Sequence, residues 1–415
     1  MNDTHLSFEE LNIFSGSYQS ETSTRILIIA GNQRLTYLEP STGHYRVFRR
    51  LLDDSFTAGP GFKQPEPIEV TAQFVRNSAG DIAELVWTHS EKQQMLDRSA
   101  AFTYEDIAFR NGDILLSGRL TQPVTASPYP ATVMIHGSGP VPRQEFQPLA
   151  EFFASIGIAV LTYDKRGVGD STGQWQSASY QALAEDALAG VRYLQSRADI
   201  NATEIGMWGI SQGGWLVLLA ASLSKDVKFI IPVSGPGVNP IEQEIWRVEH
   251  MLKADGFSSS DIETAVNLRK RGFAVWQHGE SDWRDFIFAL ERARHEPWFN
   301  YLGIDANPNK DDFVNEPGWI LEPVPILKQV SCPVLAIFGE LDPFLPVQQS
   351  ATNFRQALKI GGNQDYEVTI IPKGNHVIFD AVTGSPQEQP NLPGFVPEYL
   401  ALMRDWLLER VTVKQ

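Results

Sequence analysis

The sequence predicts an α/β architecture, a mostly parallel central sheet with helices on both faces, preceded by a small antiparallel β-rich region. Three observations carry this. Ala131–His136 is an almost unbroken apolar run, the composition of a strand covered on both faces. Further strand candidates at Ala159–Tyr163, Phe229–Val233, Val334–Phe338 and Glu367–Ile371 are separated by segments of helical period, and such alternation calls for right-handed crossovers onto one sheet. Before about residue 98 the text is different, with short alternating segments broken by Gly- and Asn-containing turns.

Taken in order, Arg25–Ala30 and Leu35–Leu38 form strands joined through Gly31, Asn32 and Gln33, a hairpin turn. His44–Phe48 adds another strand, and Val70–Arg76 pairs with Ile82–Trp87 around a turn in which Gly80 can adopt positive φ. Gly59, Gly61 and the prolines at 65 and 67 mark an extended loop. The aromatics here, Tyr37, Tyr45, Phe48, Phe74 and Trp87, are expected to be core rather than a ligand platform. Residues 1–98 are therefore expected to form a small β-rich accessory domain, and 99–415 the larger one.

From Phe102 a hairpin, Phe102–Phe109 and Ile114–Thr121 turning at Asn111–Asp113, leads into the main sheet. Helices are expected at Phe146–Ile156, at Tyr180–Arg197 with Leu183, Ala187, Val191 and Leu194 on one side, at 348–359 and at Pro397–Val411. One connection, about residues 237–330, is far longer than a simple crossover needs. Ile241–Ala254, Ser260–Lys270 and Ser281–His295 read as helices within it, with Ser258–Ser260 supplying an N-cap and Gly256 a stop. An insertion at this place would stand over the carboxyl edge of the sheet as a cap. Of its many aromatics, Trp246, Trp276, Trp283 and Phe286 are the candidates to line a pocket beneath it.

Composition narrows the function. The 415-residue chain is 42% hydrophobic and 20% charged, a globular balance with enough length for a substantial core. A formal charge of −16 argues against nonspecific nucleic-acid binding, which needs clustered Lys and Arg. The single cysteine, Cys332, excludes an intrachain disulfide and makes a thiolate zinc site implausible. It sits before Pro333 and a strand-like run, as a structural thiol would. No cofactor or metal is implied. Met1–Ser20 has no signal-peptide pattern and no stretch approaches the ~18–20 apolar residues of a membrane span, so a cytoplasmic protein is the default expectation. Self-association into a homo-oligomer is left open.

The chemistry starts at Trp208–Leu216, read Trp-Gly-Ile-Ser-Gln-Gly-Gly-Trp-Leu. Glu204–Trp208 can form a strand and Trp215–Leu223 a helix, so Gly209-Ile-Ser-Gln-Gly213 is a G-x-S-x-G pattern at a strand-to-helix turn. That turn exposes the Ser211 hydroxyl and aims the first free N–H groups of the helix above it. A serine hydroxyl is a weak nucleophile alone and requires a base, an acid and an oxyanion site. His376, in the loop after the last strand, is the base. Asp342, in Phe338-Gly-Glu-Leu-Asp342 at the end of the neighbouring strand, is the acid, with Glu340 and then Asp380 as competitors. The order serine, acid, histidine is the one this turn demands. Loss of the acid is expected to cost ~10⁴ in rate.

The oxyanion site is expected to combine the Gln212 N–H with that of Ser138, or of Gly137, in the loop His136-Gly-Ser-Gly-Pro140; each such donor is worth ~3–4 kcal/mol in the transition state. His136 reads as a support for this loop. A third Gly-rich segment, Tyr163–Ser171, fits neither phosphate-loop register, and Asp164, Arg166 and Asp170 read as an ion-pair and turn network bracing the site.

With these motifs quoted, together with Tyr163-Asp-Lys-Arg-Gly-Val-Gly-Asp-Ser-Thr-Gly173 and Asn375-His376, the chain resembles the α/β-hydrolase superfamily, and within it the bacterial esterase and serine-aminopeptidase-like branch, from about residue 100 onward. The resemblance implies an acyl-transfer triad of Ser211, Asp342 and His376, and hydrolysis of small-molecule esters with small or medium acyl groups. Peptides, thioesters or lactones are substrates of relatives. An aminopeptidase would need carboxylates for a free ammonium, for which Glu242, Glu244 and Glu249 are candidates. A non-catalytic binding protein that retains the fold is the alternative of a different class. The N-terminal region and the long insertion depart from the common pattern.

Overall fold

The structure, a computed structural model, describes residues 7–21, 24–31, 34–52, 54–99, 102–278, 282–314 and 319–414. The expected turn residues Asn32 and Gln33, the first six residues and Ser281 lie outside them.

Nine strands between Gly16 and Ser99 form one antiparallel sheet in the order Tyr45–Val47, Arg34–Leu38, Arg25–Gly31, Gly16–Gln19, Lys92–Ser99, Ile82–His89, Val70–Arg76, Ser55–Ala58 and Arg49–Arg50. Four of these strands carry no clear sequence signal. Lys92–Ser99 is the plainest case, since Leu96 is its only buried residue and a mostly solvated strand loses the apolar alternation that would mark it. The sheet curls on itself, so that Tyr37 and Trp87, on strands far apart in the sheet order, meet edge-to-face with ring centroids 4.9 Å apart. Tyr37, Phe48, Phe74 and Trp87 fill its core. Tyr45 departs from the expectation. It points out of that core toward Phe62, Phe379 and Phe395, because period two puts it on the opposite face from its neighbours.

The second sheet has eight strands, numbered here within it: β1 (Phe102–Asn111), β2 (Ile114–Pro123), β3 (Tyr129–Ile135), β4 (Ala159–Tyr163), β5 (Ile200–Ile210), β6 (Ile230–Val233), β7 (Val334–Gly339) and β8 (Tyr366–Ile371). Their order is β1-β2-β4-β3-β5-β6-β7-β8. β1 and β2 pair antiparallel, β2 joins β4 antiparallel, and the rest are parallel. Helices α1 (Gln147–Ser155), α2 (Tyr180–Gln195), α3 (Gln212–Leu223), α4 (Pro240–Ala254), α5 (Ser259–His278), α6 (Trp283–Ala293), α7 (Val347–Ile360) and α8 (Pro397–Leu408), with short helices at Lys310–Val314 and Pro323–Leu327, complete the larger unit. Separate apolar clusters fill the two faces of the sheet, one under α2, α3 and α7 and one under α1 and α8. β5 is longer than its apolar stretch suggests because its start also pairs with Tyr129.

α4, α5 and α6 belong to the insertion between β6 and β7 and have a core of their own, including Val248, Leu268, Phe286 and Leu290. Ser258 caps α5 by accepting from the Asp261 N–H at 3.2 Å, and Gly256, at φ 79°, ends the turn after α4. The nine-stranded sheet is joined to the larger unit through backbone. Phe395 N donates to Gly43 O, Tyr45 N to Pro393 O and Phe62 N to Leu392 O, at 2.8, 3.1 and 2.7 Å. A Cβ on Gly43 would sit 2.1 Å from the Phe395 carbonyl oxygen, so only glycine permits this approach. Among the described residues, no helix is long and apolar enough to cross a membrane.

Candidate active site

Ser211 stands between the end of β5 and the start of α3 at φ 58°, ψ −119°, a conformation costly for a residue with a side chain. Its surroundings hold it there. Ser211 N donates to Val233 O at 2.9 Å and Gly214 N to Ser211 O at 2.8 Å. The two glycines of the motif are sterically required, since a Cβ on Gly209 would lie 2.4 Å from Gly213 O and one on Gly213 would lie 2.4 Å from Ile135 O. The half-buried serine faces a cavity of about 1000 Å³, which Gln212, Gly137, Ser138 and His376 also line.

The expected acid and base arrive from adjacent parallel strands. Gly339 ends β7 so close to the turn after β8 that a Cβ on it would meet Asn375 O at 2.3 Å and Gly374 O at 2.4 Å. Leu341 N donates to Gly374 O at 2.8 Å, locking the two turns together. Asp342, its side chain fully buried, then lies with Oδ2 2.8 Å from His376 Nδ1. Its other oxygen accepts from Phe344 N at 2.8 Å, and the Phe344 ring stacks on the imidazole with centroids 4.3 Å apart. The buried Asn375 shapes the histidine turn, its Oδ1 accepting from Val377 N and Phe379 N at 3.0 and 2.9 Å. The exposed Glu340 accepts from Lys373 N at 3.1 Å, and Asp380 lies in a bridge to Gly374.

Beneath the loop after β3, the buried His136 ring contacts the Tyr163 carbonyl through Nε2, and burial pushes its pKa down to about 3, so it is a neutral support. Two of the bracing residues share one turn, the Asp170 N–H donating to the Asp164 carboxylate at 3.4 Å, while Arg166 pairs elsewhere. Asp164 accepts from Arg143 Nη1 at 2.9 Å, Arg166 binds Asp186 at 2.6 Å, and the exposed Asp170 lies 3.8 Å from Arg143. Between them is a residue that carried no assigned role in the sequence. Lys165 Nζ donates to Gly137 O at 2.9 Å and to Gln212 Oε1 at 2.8 Å.

The cavity walls differ from those expected. Trp175, Trp208 and Phe344 come from the larger sheet and its loops, Trp215 from α3, Gln243, Glu244, Arg247 and Trp319 from the insertion, and Tyr45 and Phe62 from the N-terminal sheet region. None of Trp246, Trp276, Trp283 and Phe286 is among its lining residues. Phe286 is fully buried in the core of the insertion, with Trp283 and Phe313 against it. Trp246 stacks on His250, centroids 3.6 Å apart, and Trp276 lines a separate groove of about 520 Å³. The three long helices of the insertion must first bury their own apolar faces, which consumes the aromatics they carry. Trp319 escapes because it lies in the return segment beyond those helices.

Glu244 also lines the cavity, but its carboxylate accepts two bonds from Arg247 at 2.6 Å and lies 3.3 Å from Arg269. Glu242 and Glu249 are exposed. Among the described residues, the one grouping of metal-type donors is Glu39, His44 and His89, whose ligand atoms lie within 4.8 Å of one another; none of the three lines the cavity. Burial pushes the Cys332 thiol up to about 11, which suits a structural role.

A family model described as X-Pro dipeptidyl-peptidase (S15 family) matches residues 89–377. Esterase EstD of Thermotoga maritima is 24% identical over 334 residues, covering 78% of this chain and 71% of its own length. Quorum-quenching protein AidA of Acinetobacter baumannii is 36% identical over 127 residues, 30% of this chain and 42% of the relative. Among solved structures, the α/β hydrolase GrgF from Penicillium sp. sh18 aligns with a TM-score of 0.48 and 21% identity over 74% of this chain and 98% of that one.

Proposed function

The chain belongs to the X-Pro dipeptidyl-peptidase (S15) family and is a serine hydrolase, and from that premise we propose that it cleaves carboxylic esters of small or medium acyl groups through an acyl-enzyme on Ser211. The observation that carries this reading is the 2.8 Å bond from His376 to the buried Asp342, on the wall of the cavity that Ser211 faces. With Nδ1 committed to the carboxylate, Nε2 is the nitrogen left to take the serine proton. The Ser211 oxygen then bonds to the substrate carbonyl carbon. The resulting oxyanion is held by the Gln212 and Ser138 N–H groups, and collapse expels the alcohol with the proton His376 has gained. Water repeats the sequence in reverse and releases the acid.

Residues 99–415 act in this reading as the catalytic domain and 1–98 as an accessory domain that lends a wall. The insertion acts as a cap, with Gln243 tied by a 2.6 Å bond to the Phe344 carbonyl beside the acid. The aromatic part of this lining, Trp175, Trp208, Trp215, Phe344, Tyr45 and Phe62, suits uncharged acyl and alcohol groups. The family description favours a second reading, a peptidase acting on a free amino terminus. Against it, Glu244, the buried carboxylate on the wall, is already neutralised by Arg247 and Arg269.

Two measurements test the proposal. An organophosphonate is expected to label the protein stoichiometrically, and Ser211→Ala to abolish labelling; labelling that persists in the variant removes Ser211 from its role, and an unlabelled wild type leaves a binding protein. Turnover of an aryl acetate is expected to exceed that of an X-Pro anilide, and the reverse order establishes the peptidase.

A further inference from the structure

Lys165 is one of the largest fully buried side chains in the protein, at 2% exposure, and among the described residues no carboxylate pairs with it. An unpaired buried ammonium is expensive, so its retention needs a reason, and its contacts supply one. Its two acceptors belong to the two segments that carry the proposed oxyanion donors. Gly137 O receives one bond at 2.9 Å and Gln212 Oε1 the other at 2.8 Å, while the Trp175 ring lies 5.3 Å away and closes the remaining side.

The peptide plane turns this contact into chemistry. The Gly137 carbonyl and the Ser138 N–H belong to one trans peptide unit and point in opposite directions. Lys165, which is not among the residues lining the cavity that Ser138 lines, holds that carbonyl, and the Ser138 N–H lies on the opposite side of the same peptide. A Gly137 peptide has little intrinsic resistance to flipping, and a flip would present a carbonyl oxygen to the developing oxyanion. The ammonium also polarises the bonded peptide, strengthening the N–H as a donor. Its second bond holds the Gln212 side chain clear of that residue's own N–H.

We propose that Lys165 is a positioning residue that fixes the Gly137–Ser138 peptide and Gln212 as an oxyanion hole, making Ser138 rather than Gly137 the loop's donor. This rests on the acyl-enzyme reading above and adds to it the group that keeps the hole formed.

The test replaces the ammonium without changing the size of the side chain much. In Lys165→Met, kcat on an aryl acetate is expected to fall about 10²-fold with KM within about threefold, because an oxyanion donor acts on the transition state. A trifluoromethyl ketone is expected to lose affinity in parallel, while a non-reactive ether analogue of the substrate keeps its own. Millimolar propylammonium added to Lys165→Ala is expected to restore part of kcat, which a merely structural role would not allow. A folded Lys165→Met enzyme with kcat within about threefold of wild type overturns the proposal. Phosphonate labelling of wild type separates the two claims, since a labelled wild type with an unaffected variant sinks only the role of Lys165, and an unlabelled wild type sinks the acyl-enzyme itself.

Should the variants fail to fold, the wild type decides. The groups facing the ammonium are the Gly137 carbonyl, the Gln212 amide, the Trp175 ring and the buried neutral His136; Asp164 and Arg166 beside it are committed to Arg143 and Asp186. Burial pulls the Lys165 pKa down to about 8, so the phosphonylation rate is expected to decline as pH rises through that value. A rate still rising or level from pH 8 to 10 overturns the proposal.

Discussion

Gly339→Ala is the most revealing single perturbation, because it strikes neither the proposed acid nor the proposed base yet lies between the turns that carry them. The added methyl would stand 2.3 Å from Asn375 O and 2.4 Å from Gly374 O, and both are backbone atoms with no rotamer to change. Reaching ordinary contact requires the turns to separate by about 1 Å. The strain has few outlets, since Leu341 N–Gly374 O at 2.8 Å and Glu340 N–Ile371 O at 3.0 Å clamp the same two turns. A widening of that size would take the 2.8 Å His376–Asp342 bond beyond the ~3.2 Å limit of a good N–H···O bond. The expected stability loss is that of overpacking, ~1–3 kcal/mol. The expected loss in kcat lies between ~10²-fold, for a 1 Å misplacement, and ~10⁴-fold, for an imidazole without its acid. Aryl acetate turnover would be measured well below the lowered Tm, with circular dichroism to establish folding. Gly362→Ala is the control, since that turn has φ 81° and nothing within 4 Å of the new methyl; it is expected to cost stability and leave kcat unchanged. A folded Gly339→Ala enzyme with wild-type kcat would refute the claim that this close approach sets the geometry of the pair.

Two further outcomes follow from the same coordinates. Asp342→Asn keeps the shape of the side chain but offers the histidine the wrong partner, and kcat is expected to fall ~10⁴-fold with the protein still folded; a loss under tenfold would shift the role of acid to another carboxylate. Burial lifts the Glu151 carboxyl from 4.5 to about 8 despite bonds from Tyr104 at 2.6 Å and Gln147 at 3.1 Å. The folded chain therefore keeps a proton that the unfolded chain releases above its ordinary value. Stability attributable to this group falls as pH rises from about 4.5 to about 8 and is level beyond. Glu151→Gln is expected to gain more Tm relative to wild type at pH 8 than at pH 5, by about 1–1.5 °C for each kcal/mol of difference, and equal shifts at both values would contradict the assignment of a neutral buried carboxyl.

The sequence by itself determined whatever is enforced locally. Gly209 and Gly213 announce the strained turn at Ser211, because only glycine tolerates the backbone on either side. The apolar runs announce β3, β4 and β7, because a strand covered on both faces has no polar positions to spare. The chain order of Ser211, Asp342 and His376 followed from where strands end. What the sequence left undecided depended on long-range neighbours. The strand Lys92–Ser99 is too solvated to show a pattern, and the aromatics of the insertion could not be divided between core and cavity because both uses select the same residue types. Lys165 reads as one more surface charge until the fold buries it against Gly137 and Gln212, 28 and 47 positions away. Tyr45 and Phe62 become cavity walls only once residues 390–395 draw the N-terminal sheet against the larger one. Backbone strain and apolar period are written in adjacent residues, whereas the inward direction of a charge or a ring is set by which distant segment closes over it.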